Sequence, residues 1–481
     1  MFKIGEQVKT EVTATVVGRY DVIVCGGGTA GCVAAIAAVR NGASVVLIES
    51  DYFLGGMMSA GNAGLTKFIL HGKDTDEQTK IVEELRKDAS KVQLAGGIPL
   101  EITHRLLKNK AAIGTAGTAA SYVYTDSQEF KLLLFEMMVE AGVKVLLHSP
   151  VCDLLLDGDK IIGVVTQTKT GRLAYLGDYI IDSTGDGDIA ALAGVPFELG
   201  VGPEDAVYKQ GLAELGKLQE VGSMFRIGGV NFDRYIAYLK EHPEAFVVQT
   251  FGQMSYEEFF KAYENGEMII SRGITPSGYL FQVYNYPHPG IMVGCIGVGG
   301  TRNVLDVEVQ TRAEYDIMIA AKTQVMELRT YVPGFEDAYV LDTPRAGIRE
   351  TRHILGEYKL NVIDILTQRE FEDTIGKGCH PVDIYPMPKE IEELPQRDSW
   401  YFNIPYRCLV AYGIQNLLMA GRCISSTREA AGCTRPTVPC MITGEAAGTA
   451  AALCKKSGIK AVKDVDIASL RAQLISQGAR I

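Results

Sequence analysis

At 481 residues the chain is long enough to bury a large core and to form two domains. Its net charge is −11, from 47 basic and 58 acidic residues, with no basic cluster, which excludes nucleic acid and an anionic membrane surface as expected partners. No apolar run reaches the roughly 18 residues of a spanning helix, and the polar, alternating start lacks a secretory apolar segment, so the expected location is the cytoplasm.

Residues 1–19 read as a short β arm. The next stretch, 20–50, is the one around which the chain is organised. Residues 21–25 are rich in β-branched side chains and predict a buried strand. Gly26, Gly28 and Gly31 follow in G-x-G-x-x-G spacing, with Thr29 and Ala30 between the last two. A helix of small apolar residues, 32–40, stops at Asn41-Gly42, and a second strand, 44–48, delivers Glu49 to its carboxyl end. The three glycines play different parts. Gly26 allows a sharp turn, Gly28 admits a pyrophosphate to the backbone, and Gly31 lets the helix lie close on the strand. The helix N-terminus faces the anion, and Glu49 accepts hydrogen bonds from a ribose. That acid argues against a ribose 2′-phosphate, hence against NADP, and leaves NAD and FAD open.

Residues 51–64 are rich in glycine and alanine, with Gly55-Gly56 adjacent, and predict a loop lining the cofactor. Helices with a break at Gly96-Gly97 are expected over 74–110, and a strongly amphipathic helix over 126–141, capped by Thr125 or Asp126. Residues 143–147 read as a strand. Residues 150–176 alternate as hairpins around Asp157-Gly158 and Thr170-Gly171, and 179–182 form a strand running into Ser183-Thr184-Gly185-Asp186-Gly187-Asp188. From 199 to 395 the glycine fingerprints stop, and helical segments (232–240, 256–263, 309–328) mix with strands (279–284, 291–296); residues 386–395 read as a solvated linker. The first style returns as a strand at 416–419 ending in Ala420-Gly421-Arg422, a polar loop at 425–439, and an alanine-packed helix at 441–455 opened by residues 443–448. The ten cysteines form no C-x-x-C pair or metal-ligand spacing and read as buried free thiols, with no metal expected.

The GGGTAG start with Glu49, the STGDGD strand end and the LLMAGRC…GEAAGTAAA tail together resemble a two-dinucleotide-binding-domain flavoprotein, in the broad FAD-dependent oxidoreductase group near the fumarate reductase and succinate dehydrogenase flavoproteins. The resemblance implies FAD as cofactor. It implies an α/β fold: a Rossmann-like FAD-binding domain of mixed sheet, helices and β-meander, carried by 1–198 and 396–481, with an inserted α+β substrate domain at 199–395. Carried over by residue, Gly26, Gly28, Gly31 and Glu49 would hold the ADP half, with Gly55, Gly56 and Met57 approaching the flavin and Val151 contacting adenine through its backbone. Thr184, Gly185 and Asp186 resemble the second motif; Gly421, Arg422, Gly444, Ala446, Ala447 and Gly448 resemble the third. Many flavoproteins place an acid where this chain has Arg422.

A flavin does its own redox chemistry, so the second domain is expected to supply polar groups beside it. The best block is 344–358, where Arg349 and Arg352 suit a carboxylate or carbonyl. His353 stands where the family usually has a second arginine, and His380, near Asp383, is the other candidate acid or base. An internal arginine–glutamate network through Arg349, Glu350 and Arg352 is the competing reading. The expected reaction is hydride transfer between a small polar organic substrate and flavin N5. Two alternatives stay open: a non-redox flavin hydratase, isomerase or lyase, and a flavoprotein subunit passing electrons to a protein acceptor. Oligomeric state also stays open.

Overall fold

The structure, a computed structural model, describes residues 6, 12–66, 75–114, 122–245, 256–267, 269–299, 303–386 and 400–481. Most of the expected N-terminal arm, His71 and nearly all of the expected linker at 386–395 lie outside the described residues.

The β-branched run at 21–25 forms the buried end of a long strand, Ala14–Cys25, at the centre of a seven-stranded sheet. On one side lie Val45–Ile48 and then Lys144–Leu146, both parallel to it. On the other lies Gly171–Asp182, also parallel. The expected strand at 179–182 is thus the last third of a longer one. Its opening residues pair with the antiparallel meander Lys160–Thr168 and Val151–Asp157, and its end pairs with Leu417–Met419, parallel, from the far end of the chain. Parallel strands covered on both faces need continuous apolar sequence, and Val22, Ile23, Val24 and Leu47 are accordingly fully buried.

The registers matter for function. Cys25 lies opposite Ile48 and Asp182, and Met419 lies opposite Asp182. Four parallel strands therefore end level, and Gly26, Glu49, Ser183 and Ala420-Gly421 leave the sheet at one edge. In open α/β sheets that carboxyl edge is where ligands sit.

One face of this sheet is covered by two helices lying on each other, Thr29–Arg40 and Thr437–Ser457. Their backbones approach so closely that a Cβ on Gly444 would fall on the Ala30 carbonyl, and one on Gly448 on the Ala34 carbonyl. Small residues on both helices permit this spacing.

A second core, running from Val221 to Ala346, is built on a five-stranded antiparallel sheet. Its strand order is Ile270–Ile274, Leu280–Asn285, Ile291–Val298, Val221–Gly228, Tyr339–Val340. One face carries Phe225, Ile227, Val283 and Ile296 and packs against the long helix Val307–Tyr331. The opposite face carries the cross-strand row Arg272, Gln282, Cys295, Met224. Strand Val221–Gly228 has no counterpart among the sequence expectations. Ile354, Leu360, Ile365, Phe371, Ile375 and Cys379 pack into the first core, so the expected insertion ending at 395 ends by packing near residue 346. Trp400 is buried in the first core beside Phe402.

Candidate functional site

At the carboxyl edge the glycine turn is fixed by backbone contacts. Gly26 has φ +99°, and a Cβ there would strike the Ser183 carbonyl. A Cβ on Gly31 would strike the Gly26 carbonyl, so neither position admits a side chain. Ser183 Oγ bridges the two strands by donating to the carbonyls of Cys25 and Gly26, at 2.8 Å each. Gly28 differs: a Cβ there meets no protein atom within 4 Å, and the Thr29–Arg40 helix that it opens has no side-chain cap. This is an open cradle facing uncapped helix amides, the shape and polarity a pyrophosphate needs.

Glu49 is buried and accepts from the amides of Gly27 and, at 2.7 Å, Asp51, and from Ser50 Oγ at 2.9 Å. A carboxylate offers about four acceptor positions, so three donors leave one for a ribose hydroxyl. Val151 follows closely on Ser149, whose amide donates to the Glu49 carbonyl, so the expected adenine contact lies beside the expected ribose acid.

The Gly55-Gly56 pair folds back on this turn. Gly55 donates to the Gly27 carbonyl at 2.8 Å, and both glycines have positive φ, which a left-handed backbone favours. Met57 begins the next short helix, and its methyl group reaches toward Gly61 and Gly347 of the second body. The second and third motifs meet here as well. Asp186 accepts from Arg422 at 2.7 Å and from Thr351 Oγ1 at 2.7 Å, and the Arg422 guanidinium lies over Gly185. Burial pushes the Asp186 carboxyl up, but Arg422, Thr351 and Arg352 together more than offset this and hold it below the usual range. Arg422 therefore ties two strand ends together. Thr184 donates to Asp182, which is fully buried and pushed up to about 6 chiefly by burial.

One part of the expected third motif is corrected. The C-terminal helix begins at Thr437, not near 441, so Gly444 and Ala446 to Gly448 lie in its second and third turns. Gly444 and Gly448 serve the helix–helix contact described above, and Ala446 and Ala447 are fully buried. The half-buried start of that helix, at Pro436 and Thr437, is the part near the loops: Thr437 Oγ1 donates to the Gly64 carbonyl, and Cys440 lies beside Gly421.

A family model described as "FAD dependent oxidoreductase" matches residues 21–474. The chain belongs to that family. The flavoprotein is 32% identical over 168 residues to the tRNA uridine 5-carboxymethylaminomethyl modification enzyme MnmG of Geotalea uraniireducens, covering 34% of this chain and 24% of that protein. It is 28% identical over 175 residues to the thiamine thiazole synthase of Methanococcus vannielii, covering 35% and 56%. The chain thus spans between a quarter and about half of the length of these relatives. Among solved structures, a geranylgeranyl bacteriochlorophyll reductase-like protein of Thermoplasma acidophilum aligns over 96% of this chain and 84% of its own, with 13% identity and a TM-score of 0.43. FAD is the cofactor of the family, and the open cradle at Gly28 with Glu49 beside it fits the group.

The predicted catalytic residues separate into two sets. Arg352 donates to Asp188 at 2.7 Å and to the Asp186 carbonyl at 2.8 Å, so it is a strut, not a substrate clamp. His353 is buried and paired with Glu350 at 2.9 Å; Glu350 also takes a hydrogen bond from the fully buried Arg428 at 3.0 Å and from the Gln219 amide at 2.8 Å. Burial raises the Glu350 carboxyl, and His353 and Arg428 more than reverse that. His353 is corrected to a structural role: its partner Glu350 is in a buried ion pair with Arg428, and the network expected through Arg349, Glu350 and Arg352 does not form, since Arg349 and Arg352 bond elsewhere.

Arg349 lies elsewhere. Its guanidinium rests against Gly222, where a Cβ would collide with it, and it donates to the Glu220 carbonyl at 2.7 Å. Gly222 lies on the same face of the second sheet as Met224, Cys295, Gln282 and Arg272. The edge of strand Val221–Gly228 adjoins Gly61, since the Met224 amide donates to the Gly61 carbonyl. His380 is buried, its Nδ1 facing the Pro381 carbonyl at 2.8 Å; a carbonyl partner makes Nδ1 the donor. Asp383 forms an ion pair with Arg435. Burial raises the Asp383 carboxyl, but Arg435, His380 and Arg349 together hold it below the usual range. Tyr385 stands in the field of Asp383, Arg349, Arg272 and Arg435; burial, most of all, and Asp383 push its phenol up.

Arg435 and Arg272 were not among the sequence candidates. Burial and the nearby Arg349 act against the Arg435 charge, leaving it below the usual arginine range, and its Nε is buried without a hydrogen-bond partner. The available signal was Arg435-Pro436 directly before the helix start, in a stretch that reads as a loop.

Proposed function

We propose that this protein is an FAD-dependent oxidoreductase that transfers a hydride between flavin N5 and a small organic substrate carrying a carboxylate. The observations that support the reading are that Arg349 rests against Gly222 on the sheet face that also carries Arg272, and that Arg435 is paired with Asp383, all four groups acting on Tyr385 through their charge. A guanidinium fork matches a carboxylate, and buried positive charge raises the affinity for an anion. Arg435 is held from behind by Asp383, which fixes its direction. Arg349 is braced by the Glu220 carbonyl and by the flat surface of Gly222.

When bound, the flavin supplies acceptance or donation of the hydride. The chain's own residues orient the substrate carbon and exchange a proton. Met57, Gly61 and Gly347 form a close-packed join between the two cores. His380 is the proposed acid or base, its Nδ1–H donating to the Pro381 carbonyl and fixing the ring. An arginine serves the reducing direction equally well, as a donor to a developing carbanion.

A screen of small carboxylates with the flavin spectrum followed under nitrogen tests the reading. Bleaching or reoxidation in step with turnover supports hydride transfer. Turnover with a spectrum that never changes supports a non-redox role instead. Arg349→Lys and Arg435→Lys, each with flavin retained, are expected to raise KM for the carboxylate; normal kinetics in both would remove them from substrate binding.

A further inference from the structure

The helix Val307–Tyr331 is capped by Asp306, which accepts from the amides of Glu308 and Val309. It packs Ala313, Ile317, Ala321, Val325 and Leu328 onto the second core. Its other side is exposed among the described residues. There Tyr315, Met318, Ile319 and Met326 are 53%, 40%, 47% and 57% exposed. Glu308, Thr311, Lys322 and Arg329 continue the same stripe. Apart from the adjacent Met318 and Ile319 at its middle, the stripe advances by three or four residues at each step from Glu308 to Arg329, so these positions share one face of the helix.

We propose that this stripe is a two-fold interface with a second copy of the same chain, two such helices lying antiparallel. The ground for it is self-complementarity. Place the two-fold axis between Met318 and Ile319. Met318 then faces Ile319 of the second copy, Tyr315 faces Lys322, Thr311 faces Met326, and Glu308 faces Arg329. Every seam residue meets another seam residue, and shifting the axis by half a residue toward the N-terminus sets Glu308, Thr311 and Tyr315 against the buried Leu328, Val325 and Ala321. The charges at the two ends are opposite, so they attract twice in the antiparallel pair and would repel in a parallel one. A shallow groove of about 480 Å³ over Val307, Thr311 and Tyr315 coincides with the point where Met326 of the second copy arrives. A partner of unrelated sequence would impose no such self-match.

The seam is about 32 Å long at a rise of about 1.5 Å per residue. One helix in width, it buries less than a standard interface of about 1,600 Å², so the pair should be reversible and dependent on concentration. Sedimentation velocity on the FAD-loaded protein over a wide concentration range tests this. The expected result is a mass that rises from one chain toward two. Met318→Glu places two carboxylates beside the axis and should leave one-chain mass throughout, with the flavin spectrum unchanged. Glu308→Arg alone should weaken association about tenfold, and adding Arg329→Glu should restore it. One-chain mass for the natural protein at every concentration overturns the proposal, and so assigns the stripe to another protein or to none. A two-chain mass that ignores Met318→Glu also overturns it.

Discussion

The two sides of the site are built on opposite principles. The cofactor side, at the level ends of four parallel strands, is made of backbone: Gly26, Gly31, Gly55 and Gly421 matter because they have no side chain, and Ser183 and Thr184 bind main-chain or strand-end groups. The proposed substrate side is made of side-chain tips from four separate segments: Arg272 and Arg349 lie over one face of an antiparallel sheet, and Arg435 and His380 act with Arg349 on Asp383. A backbone site tolerates no added atom, whereas a side-chain site loses affinity in steps.

The largest expected effect breaks the first side. Gly31→Val puts branched carbon into the Gly26 carbonyl, which cannot move without the strand, so the purified protein should be colourless and refuse reconstitution with FAD. Gly28→Ala sharpens the point: its added methyl meets no protein atom, so the melting temperature without cofactor should hold while FAD affinity falls. If both variants lost stability alike, Gly28 would have no special relation to a ligand.

Next comes the second side. Arg435→Lys and Arg349→Lys keep charge but lose the planar fork, and each should reduce kcat/KM by about 100-fold, or roughly 2.7 kcal/mol, mostly through KM. Arg352→Lys is the control: its partners are Asp188 and the Asp186 carbonyl, so stability should fall and substrate KM should stay. A KM effect at Arg352 equal to that at Arg435 would merge the two sets that the geometry separates.

Smaller effects concern the helices behind the site. Gly448→Ala thrusts a methyl at the Ala34 carbonyl, well inside the helix pair, and should cost about 1–3 kcal/mol by denaturant unfolding without altering the spectrum of bound flavin. A changed flavin spectrum would return Gly448 to the cofactor. Glu445, on the same helix, is buried, accepts from the Ile98 amide at 3.2 Å, and is pushed up to about 7, mainly by burial. A carboxyl raised in the folded state binds its proton more tightly there than in the unfolded chain. Its contribution is therefore fully present below the ordinary value near 4.5 and is lost as pH rises toward and through 7. Glu445→Gln, which keeps the acceptor, should be the more stable protein at pH 8, by about 1–3 kcal/mol, with the gap closing below pH 4.5. An unchanging gap across that range would contradict the assignment.

The contrast also explains what was legible in the chain. Gly26, Gly28, Gly31 and Glu49 were readable because strand, turn, helix and strand are contiguous, and their roles follow from local sterics. The hairpins at Asp157-Gly158 and Thr170-Gly171 were readable for the same reason. The start of the C-terminal helix was misplaced because Pro436 and Pro439 look like loop residues, although a first turn has no intrahelical partner for its amides and tolerates proline. Arg435 was lost with that start. Arg349 and Arg352 are three residues apart and look equivalent in sequence; only the tertiary partners, Gly222 for one and Asp188 for the other, tell them apart. Strand Val221–Gly228 escaped because Gly222, Ser223 and Gly228 dilute its apolar alternation, yet Gly222 is what lets Arg349 approach and Gly228 what lets Tyr339 approach.

The most direct measurement pairs each small carboxylate that turns over with its uncharged amide and follows the flavin under nitrogen. The account predicts bleaching by the carboxylate and none by the amide at the same concentration, with the difference shrinking in Arg435→Lys. Equal bleaching by both members of the pair would contradict it.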